Sequence, residues 1–149
     1  MVESRPRPFL DANVLFSGIY HNDSVPGVLI DLHADGMISI VVSAVVLDEV
    51  SRNFRRKQPS LNPRWQAFLS GTPPEIVSVP SERAIEAAQH CINAKDAPIL
   101  AAAIASGADC VVSGNTRHFN QQAAECAGIA IFTPAAYLAL LDHRNGLRR

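Results

Sequence analysis

Residues 9–18 read "FLDANVLFSG". Phe9 and Leu10 have the character of a buried strand end, Asp11 follows at once, and Asn13 stands just beyond it. The chain then turns apolar again. A carboxylate beside an apolar core is costly unless it is capped, paired or bound to a cation.

The neighbouring segments give Asp11 its setting. Residues 7–10 read as a short strand entered through a proline, and 12–20 as a short helix. Residues 24–36 predict a second helix, with Ser24 as cap, Pro26 in its first turn and Gly36 at its end. The β-branched run at 37–42 predicts a strand. Residues 43–57 form the clearest helix: Val46, Val50 and Phe54 recur every fourth residue, Leu47 lies beside them, and Ser43 caps. A short helix at 63–71 ends in Gly71, a strand follows at 75–79, and a helix capped by Ser81 at 81–92. Residues 96–107 are apolar all round, which predicts a buried helix. Strands at 110–114 and 129–133 and a last helix from Thr133 and Pro134 complete the series. Residues 115–128 are assigned to no element.

Strands that alternate with helices and consist of unbroken Val and Ile runs predict a parallel sheet covered on both faces. Ligands bind such sheets beyond the carboxyl ends of the strands, where the strand order reverses. Asp11 lies at such an end.

The bulk properties are compatible. The 149 residues suit one domain over 1–149, with a flexible lead-in at 1–6 and a flexible tail at 144–149. An apolar share of 48% supplies a core, and a net charge of -1 excludes a globally basic nucleic-acid binder while leaving room for a local basic face. "MVESRPRP" lacks the apolar stretch of a secretory signal, and "ISIVVSAVVL" at 38–47 is too short to span a bilayer. A soluble, cytoplasmic protein is expected, with no membrane partner. Cys91, Cys110 and Cys126 are odd in number and far apart. That argues against a disulfide framework and a CxxC zinc site; the reading is of buried thiols in a reducing compartment.

Other acids fall at matching points. Glu49 flanks the Val46/Val50/Phe54 stripe, on the side of Arg52, Asn53 and Arg56, while Asp48 faces away. Asp96 opens the buried helix. Asn115 follows the strand at 110–114 as Asp11 follows the first. Three carboxylates and an amide at one end of one sheet suit a hard divalent cation, Mg²⁺ or Mn²⁺. Each also has a plainer reading: Asp11 and Asp96 as helix caps, Glu49 as a solvated helix residue, Asn115 as a turn residue. Capping and metal binding are compatible in one carboxylate.

The stretches "FLDANVLFSG", "VVSAVVLDEVSRNF", "KDAPILAAAIASGADCVVSGNTRHF" and "IAIFTPAAYLALL" together resemble a PIN-domain ribonuclease, the family that includes VapC-like toxins of toxin–antitoxin pairs. They cover nearly the whole chain in the family's order. The resemblance implies a PIN-like doubly wound three-layer α/β fold with a central parallel sheet of four or five strands. It also implies a Mg²⁺ or Mn²⁺ site and cleavage of RNA to 5′-phosphate and 3′-hydroxyl ends. Asp11, Glu49 and Asp96 resemble the family's three central acids, and Asn13 and Ser43 its polar supports. Asn115 departs from the Asp of many relatives and supplies no charge, so the site should hold metal less tightly, and one ion or two is left open.

On that reading Asp11 and Asp96 are the main metal ligands, Glu49 completes the shell or orients water, and Asn115 with Thr116 holds a ligand water or phosphate oxygen. Arg52, Arg56, Arg117 and His118 are candidate RNA contacts. Arg55 and Lys57 suit a solvated helix end, and Arg52 and Arg56 alternatively pair with the acid. Trp65 and Phe68 predict a packed helix hairpin, with RNA stacking as the alternative. An antitoxin and a homodimer or higher oligomer are the expected partners besides RNA.

The chief rival is a non-catalytic PIN-like domain that binds RNA or protein. A haloacid-dehalogenase-type enzyme needs Asp where Asn13 stands, and a P-loop or dinucleotide fold lacks its glycine-rich turn. His90 and Cys91 are helical neighbours that point apart, so they form no dyad.

Overall fold

A computed structural model describes residues 5–145 of the chain. In order the elements are β1 (Pro8–Leu10), α1 (Ala12–Tyr20), α2 (Val25–Ala34), β2 (Val41–Ser43), α3 (Ala44–Lys57), α4 (Asn62–Gly71), β3 (Glu75–Val77), α5 (Glu82–Gln89), α6 (Ala97–Ala105), β4 (Cys110–Val112), α7 (Gln121–Ala127), β5 (Ala130–Phe132) and α8 (Pro134–Asn145). A 3-10 turn at Pro59–Leu61 joins α3 to α4. Residues 1–4 of the expected lead-in and 146–149 of the expected tail lie outside the described residues. Pro6 is tied down by its carbonyl, which accepts from the Ser39 N–H at 2.9 Å.

All five strands are parallel, in the order β3-β2-β1-β4-β5. The chain steps outward from β1 to β3, then crosses back to place β4 against the other side of β1. Right-handed crossovers put α1 to α4 on one face and α5 to α7 on the other; α8 returns to pack on α2. Phe9, Leu10, Val41, Val42, Val111 and Val112 are fully buried, which is why these strands carry no polar alternation. The reversal of order falls between β1 and β4, the expected place for a ligand site in an open parallel sheet.

Capping fixes several helix starts. Ser24, Ser43 and Ser81 accept from the N–H groups of Gly27, Val46 and Ala84, as their positions predict. The expected strand at 37–42 is shorter: only Val41–Ser43 are strand. The preceding residues are claimed elsewhere, with the Met37 N–H on the Leu32 carbonyl and the Ile40 N–H on His33 Nδ1. α7 is a helix the sequence reading left unassigned. Asn120 caps it by accepting from the Ala123 N–H at 2.9 Å, and Gly128 closes it in the left-handed region at φ 72°.

α1 and α2 meet closely because Gly18 and Gly27 leave room. A Cβ on Gly18 would sit 2.7 Å from the Ile30 side chain and 2.8 Å from the Pro26 carbonyl, and one on Gly27 would strike the Asn22 carbonyl. Trp65 is fully buried, donates Nε1–H to Ser51 Oγ at 2.9 Å, and lies between Phe54 and Phe68. It closes the α3–α4 pair, as expected, and its burial rules out stacking on a nucleobase.

The cysteines correct the sequence reading. Cys91 and Cys126 form a disulfide, with Cα atoms 5.5 Å apart and a sequence separation of 35. Sequence distance was a poor guide, because the crossovers through β4 bring the end of α5 beside α7. Cys110 alone is a free thiol among the described residues, and burial pushes it up to about 12.

Tyr137 is buried, and its hydroxyl finds no hydrogen-bond partner among the described residues. A buried unsatisfied hydroxyl costs about 1–3 kcal/mol. Tyr137→Phe is therefore expected to raise stability by about 1 kcal/mol, read as a higher denaturant midpoint at unchanged slope. A lower midpoint would show that the hydroxyl is satisfied.

Candidate metal centre beyond the first and fourth strands

The register sets the site. Leu10 pairs with Val112, so Asp11 and Ser113 leave the sheet side by side, and the Asp11 N–H donates to the Val112 carbonyl at 3.0 Å. Both Asp11 oxygens are engaged. Oδ1 accepts from the Ala12 N–H at 2.8 Å and caps α1; Oδ2 accepts from Ser113 Oγ at 2.7 Å and from Asn13 Nδ2 at 3.1 Å. Burial pushes the Asp11 carboxyl above its ordinary range, Asp96 adds repulsion, and the bonds from Ser113, Ala12 and Asn13 pull the other way.

Ser113 and Asn13 act as braces. Ser113 is 1% exposed; its Oγ donates to Asp11 and accepts from the Asn115 N–H at 3.0 Å. Asn13 Oδ1 accepts from the Gly114 N–H at 3.0 Å. A Cβ on Gly114 would sit 3.1 Å from Asn13 Oδ1 and press on that brace.

Asp96 comes from the opposite layer, at the N-terminus of α6. It occupies the cap position, yet its carboxylate makes no capping bond. Asn93 does the local work instead, accepting from the Lys95 and Asp96 N–H groups at 3.0 and 3.1 Å. The Asp96 carboxylate is left to face the site. Its Oδ2 lies 2.7 Å from Asn93 Nδ2 and 3.1 Å from His118 Nδ1. With a carboxylate as partner, His118 carries its proton on Nδ1 and donates it. Asn115 Nδ2, 3.4 Å from the same nitrogen, is then a neighbour and not a donor to it.

The remaining candidates are placed as follows. Asn115 is half-buried beside Asp96's partner His118, and Thr116, Arg117 and His118 are exposed. Ser43, 2% exposed, ends β2 and spends its hydroxyl on the Val46 N–H at 3.3 Å. Glu49 is exposed on α3. Among the described residues no group of three or more His, Cys, Asp or Glu is close enough to hold an ion. The acidic pair is thus Asp11 with Asp96, and the structure does not bring Glu49 into a three-residue cluster with them. Arg52 pairs with Asp48 at 3.2 Å, not with Glu49, and Arg56 is exposed.

Ser113 and Asn93 were missed by sequence reasoning. Ser113 had a weak signal, a polar residue directly after a buried strand. Asn93, three residues before an acid at a helix start, had the signature of an Asx turn.

Comparison with known proteins agrees with this architecture. A family model described as "PIN domain" matches residues 7–117. Among solved structures, VapBC2 from Rickettsia felis bound to a DNA fragment from its promoter aligns at a TM-score of 0.60 and 19% identity, covering 84% of this chain and 96% of that one. FitAcB from Neisseria gonorrhoeae aligns at 0.60 and 16%, covering 86% and 98%. FitAB bound to an IR36 DNA fragment aligns at 0.60 and 19%, covering 85% and 94%. At these identities the structures establish a shared fold. No curated protein sequence matches the chain. No helix among the described residues is long and apolar enough to cross a membrane. The family match spans β1, Asp11, Asp96, β4 and Ser113, the residues that build the acidic pair and its braces, and the chain belongs to the PIN-domain family.

Proposed function

We infer that the protein is a divalent-metal-dependent endoribonuclease, and that it serves as the toxin of a toxin–antitoxin pair in the cytoplasm. The observation that carries the reading is the Asp11 carboxylate braced by three donors at the point where the strand order reverses, raised by burial, with Asp96 near enough to add repulsion. The donor set is oxygen throughout, which fits Mg²⁺ or Mn²⁺. When bound, such an ion supplies charge to the scissile phosphate and lowers the pKa of a coordinated water.

The chain's own residues divide the remaining tasks. Asp11 and Asp96 would hold the ion. Ser113 and Asn13 aim Asp11, and Asn93 and His118 aim Asp96. Glu49, which stands outside the pair, would act through a water. Asn115 and Thr116 would contact a ligand water or a phosphate oxygen, with Ser43 and Asn13 as polar support. Arg117, His118, Arg52 and Arg56 are exposed cations or potential cations suited to the RNA backbone.

VapBC2 and FitAcB are the basis for proposing an antitoxin partner; a homodimer or higher oligomer would accompany it. The amide at Asn115 favours one alternative, a PIN-like domain that binds RNA or protein without cutting. Purified protein incubated with RNA in Mg²⁺ or Mn²⁺, beside Asp11→Asn, tests both. Metal-dependent cleavage lost in the variant supports the enzyme. RNA binding without cleavage supports the alternative.

The cationic contacts have their own expected outcome. Arg117→Ala should weaken RNA binding and shallow its dependence on salt by about one counterion. Binding measured across a salt series checks it, and an unchanged slope removes Arg117 from the interface.

A further inference from the structure

The Cys91–Cys126 bridge joins the two segments that support Asp96. Cys91 stands two residues before Asn93, whose Nδ2 lies 2.7 Å from Asp96 Oδ2. Cys126 lies in α7, the helix entered from the loop that carries His118, whose Nδ1 lies 3.1 Å from the same oxygen. Between these segments is an open cleft of about 190 Å³, where Ile92 and Asn93 face Arg117, His118 and Gln122. The cleft opens between the two walls, and the bridge crosses from one to the other.

The bridge is also within reach of solvent. Cys126 is exposed and Cys91 half-buried. Both line a second, apolar cavity of about 350 Å³, together with Ala84, Ala101 and Ile104, the last 45% exposed. Cys110, the remaining cysteine, is buried within β4 and stays out of any exchange in the folded chain.

We propose that the Cys91–Cys126 disulfide is a thiol-exchange site for a small-molecule thiol, and that its reduction loosens the Asn93 and His118 support of Asp96. A thiolate RS⁻ attacks Sγ of Cys126, forming a mixed disulfide as the Sγ–Sγ bond breaks. The electron pair leaves on Cys91, which takes a proton from water. A second RS⁻ attacks the small thiol's sulfur in the mixed disulfide, releasing RSSR and the Cys126 thiolate. Two small thiols are oxidised and one protein disulfide is reduced. The consequence for metal binding rests on the nuclease reading above; the loosening of the two segments does not.

The test uses the full chain equilibrated with reduced or with oxidised glutathione. Alkylation and mass analysis follow the thiols, and amide hydrogen exchange follows the segments. Reduction is expected to free Cys91 and Cys126 but not Cys110, and to speed exchange at 91–97 and 115–120 roughly tenfold while β2 and α3 hold their protection. Mn²⁺ affinity should fall about tenfold, the effect of losing an outer support of a ligand. The double variant Cys91→Ser, Cys126→Ser should behave as the reduced protein and ignore glutathione.

A bridge that resists glutathione in the folded chain overturns the proposal. So does unchanged exchange on reduction, or a rise spread evenly along the chain. Local loosening in a protein whose oxidised form binds no Mn²⁺ upholds the exchange site and removes the metal reading instead.

Discussion

Replacing Asp11 by Asn is expected to cut RNA cleavage by more than about 100-fold and, in the absence of metal, to raise the melting temperature. Loss of an outer-shell support typically costs 10–100-fold, and loss of a ligand should exceed it. The gain in stability follows from the raised Asp11 carboxyl, which burial and Asp96 hold above its ordinary value of 3.8. Over the pH range between that ordinary value and the raised one, the folded chain binds more protons than the unfolded chain. Stability therefore falls as pH rises through that range, and the deficit persists at neutral pH. Asn carries no charge to desolvate and keeps an acceptor for the Ala12 N–H. Its amino group replaces Oδ2, where the Ser113 hydroxyl can turn to accept but the bond from Asn13 is lost, which trims the gain. Thermal melts in EDTA at pH 7 and at low pH measure this: the variant's advantage should shrink as the pH drops through the ordinary carboxylate range. Adding Mn²⁺ should stabilise the wild type and not the variant. A variant that melts lower than the wild type in EDTA would contradict the electrostatic account.

Ser113→Ala carries the second large effect, although the sequence reading gave Ser113 no role at the site. Two bonds are lost at once, the one to Asp11 Oδ2 and the one from the Asn115 N–H. Leaving such groups unpaired costs about 1–3 kcal/mol in stability. The more telling result is in the pH dependence. The Ser113 hydroxyl is the largest influence holding the Asp11 carboxyl down against burial. Without it that group stays protonated to higher pH, and a protonated carboxyl is a poor ligand. The midpoint of Mn²⁺ binding against pH should therefore move in the alkaline direction, with cleavage at neutral pH reduced about 10–100-fold. An unmoved midpoint would mean that Ser113 only packs.

The strands and most helices were legible because their signals are local. Unbroken apolar runs such as Cys110–Val112 specify buried parallel strands, and caps such as Ser43 and Ser81 mark where helices begin. Asp11 and Asp96 were legible for the same reason, each being polar at the edge of an apolar element. The features that escaped depend on distance or geometry. The role of Ser113 follows from the β1–β4 register, set across 102 residues. The disulfide depends on two crossovers, and α7 hides because "QQAAECA" has no apolar stripe to reveal its period. Position on the helical wheel put Glu49 beside the Val46/Val50 stripe, but the wheel is silent about how far a carboxylate reaches beyond the helix. The free carboxylate of Asp96 could not be read either, since an Asp at a helix start looks like a cap whether or not it makes the bond.

The central place of β1, with its second neighbour arriving only at β4, also sets a timetable. A ribosome adds roughly 5–20 residues per second, and 102 residues separate Asp11 from Ser113. The first acid therefore waits roughly 5–20 s for its brace to be translated. Throughout that interval the growing polypeptide has neither the Ser113 hydroxyl nor His118, and no truncated product ending before β4 can assemble the acidic pair with its supports. Any chemistry that needs the completed site is therefore closed to its unfinished copies.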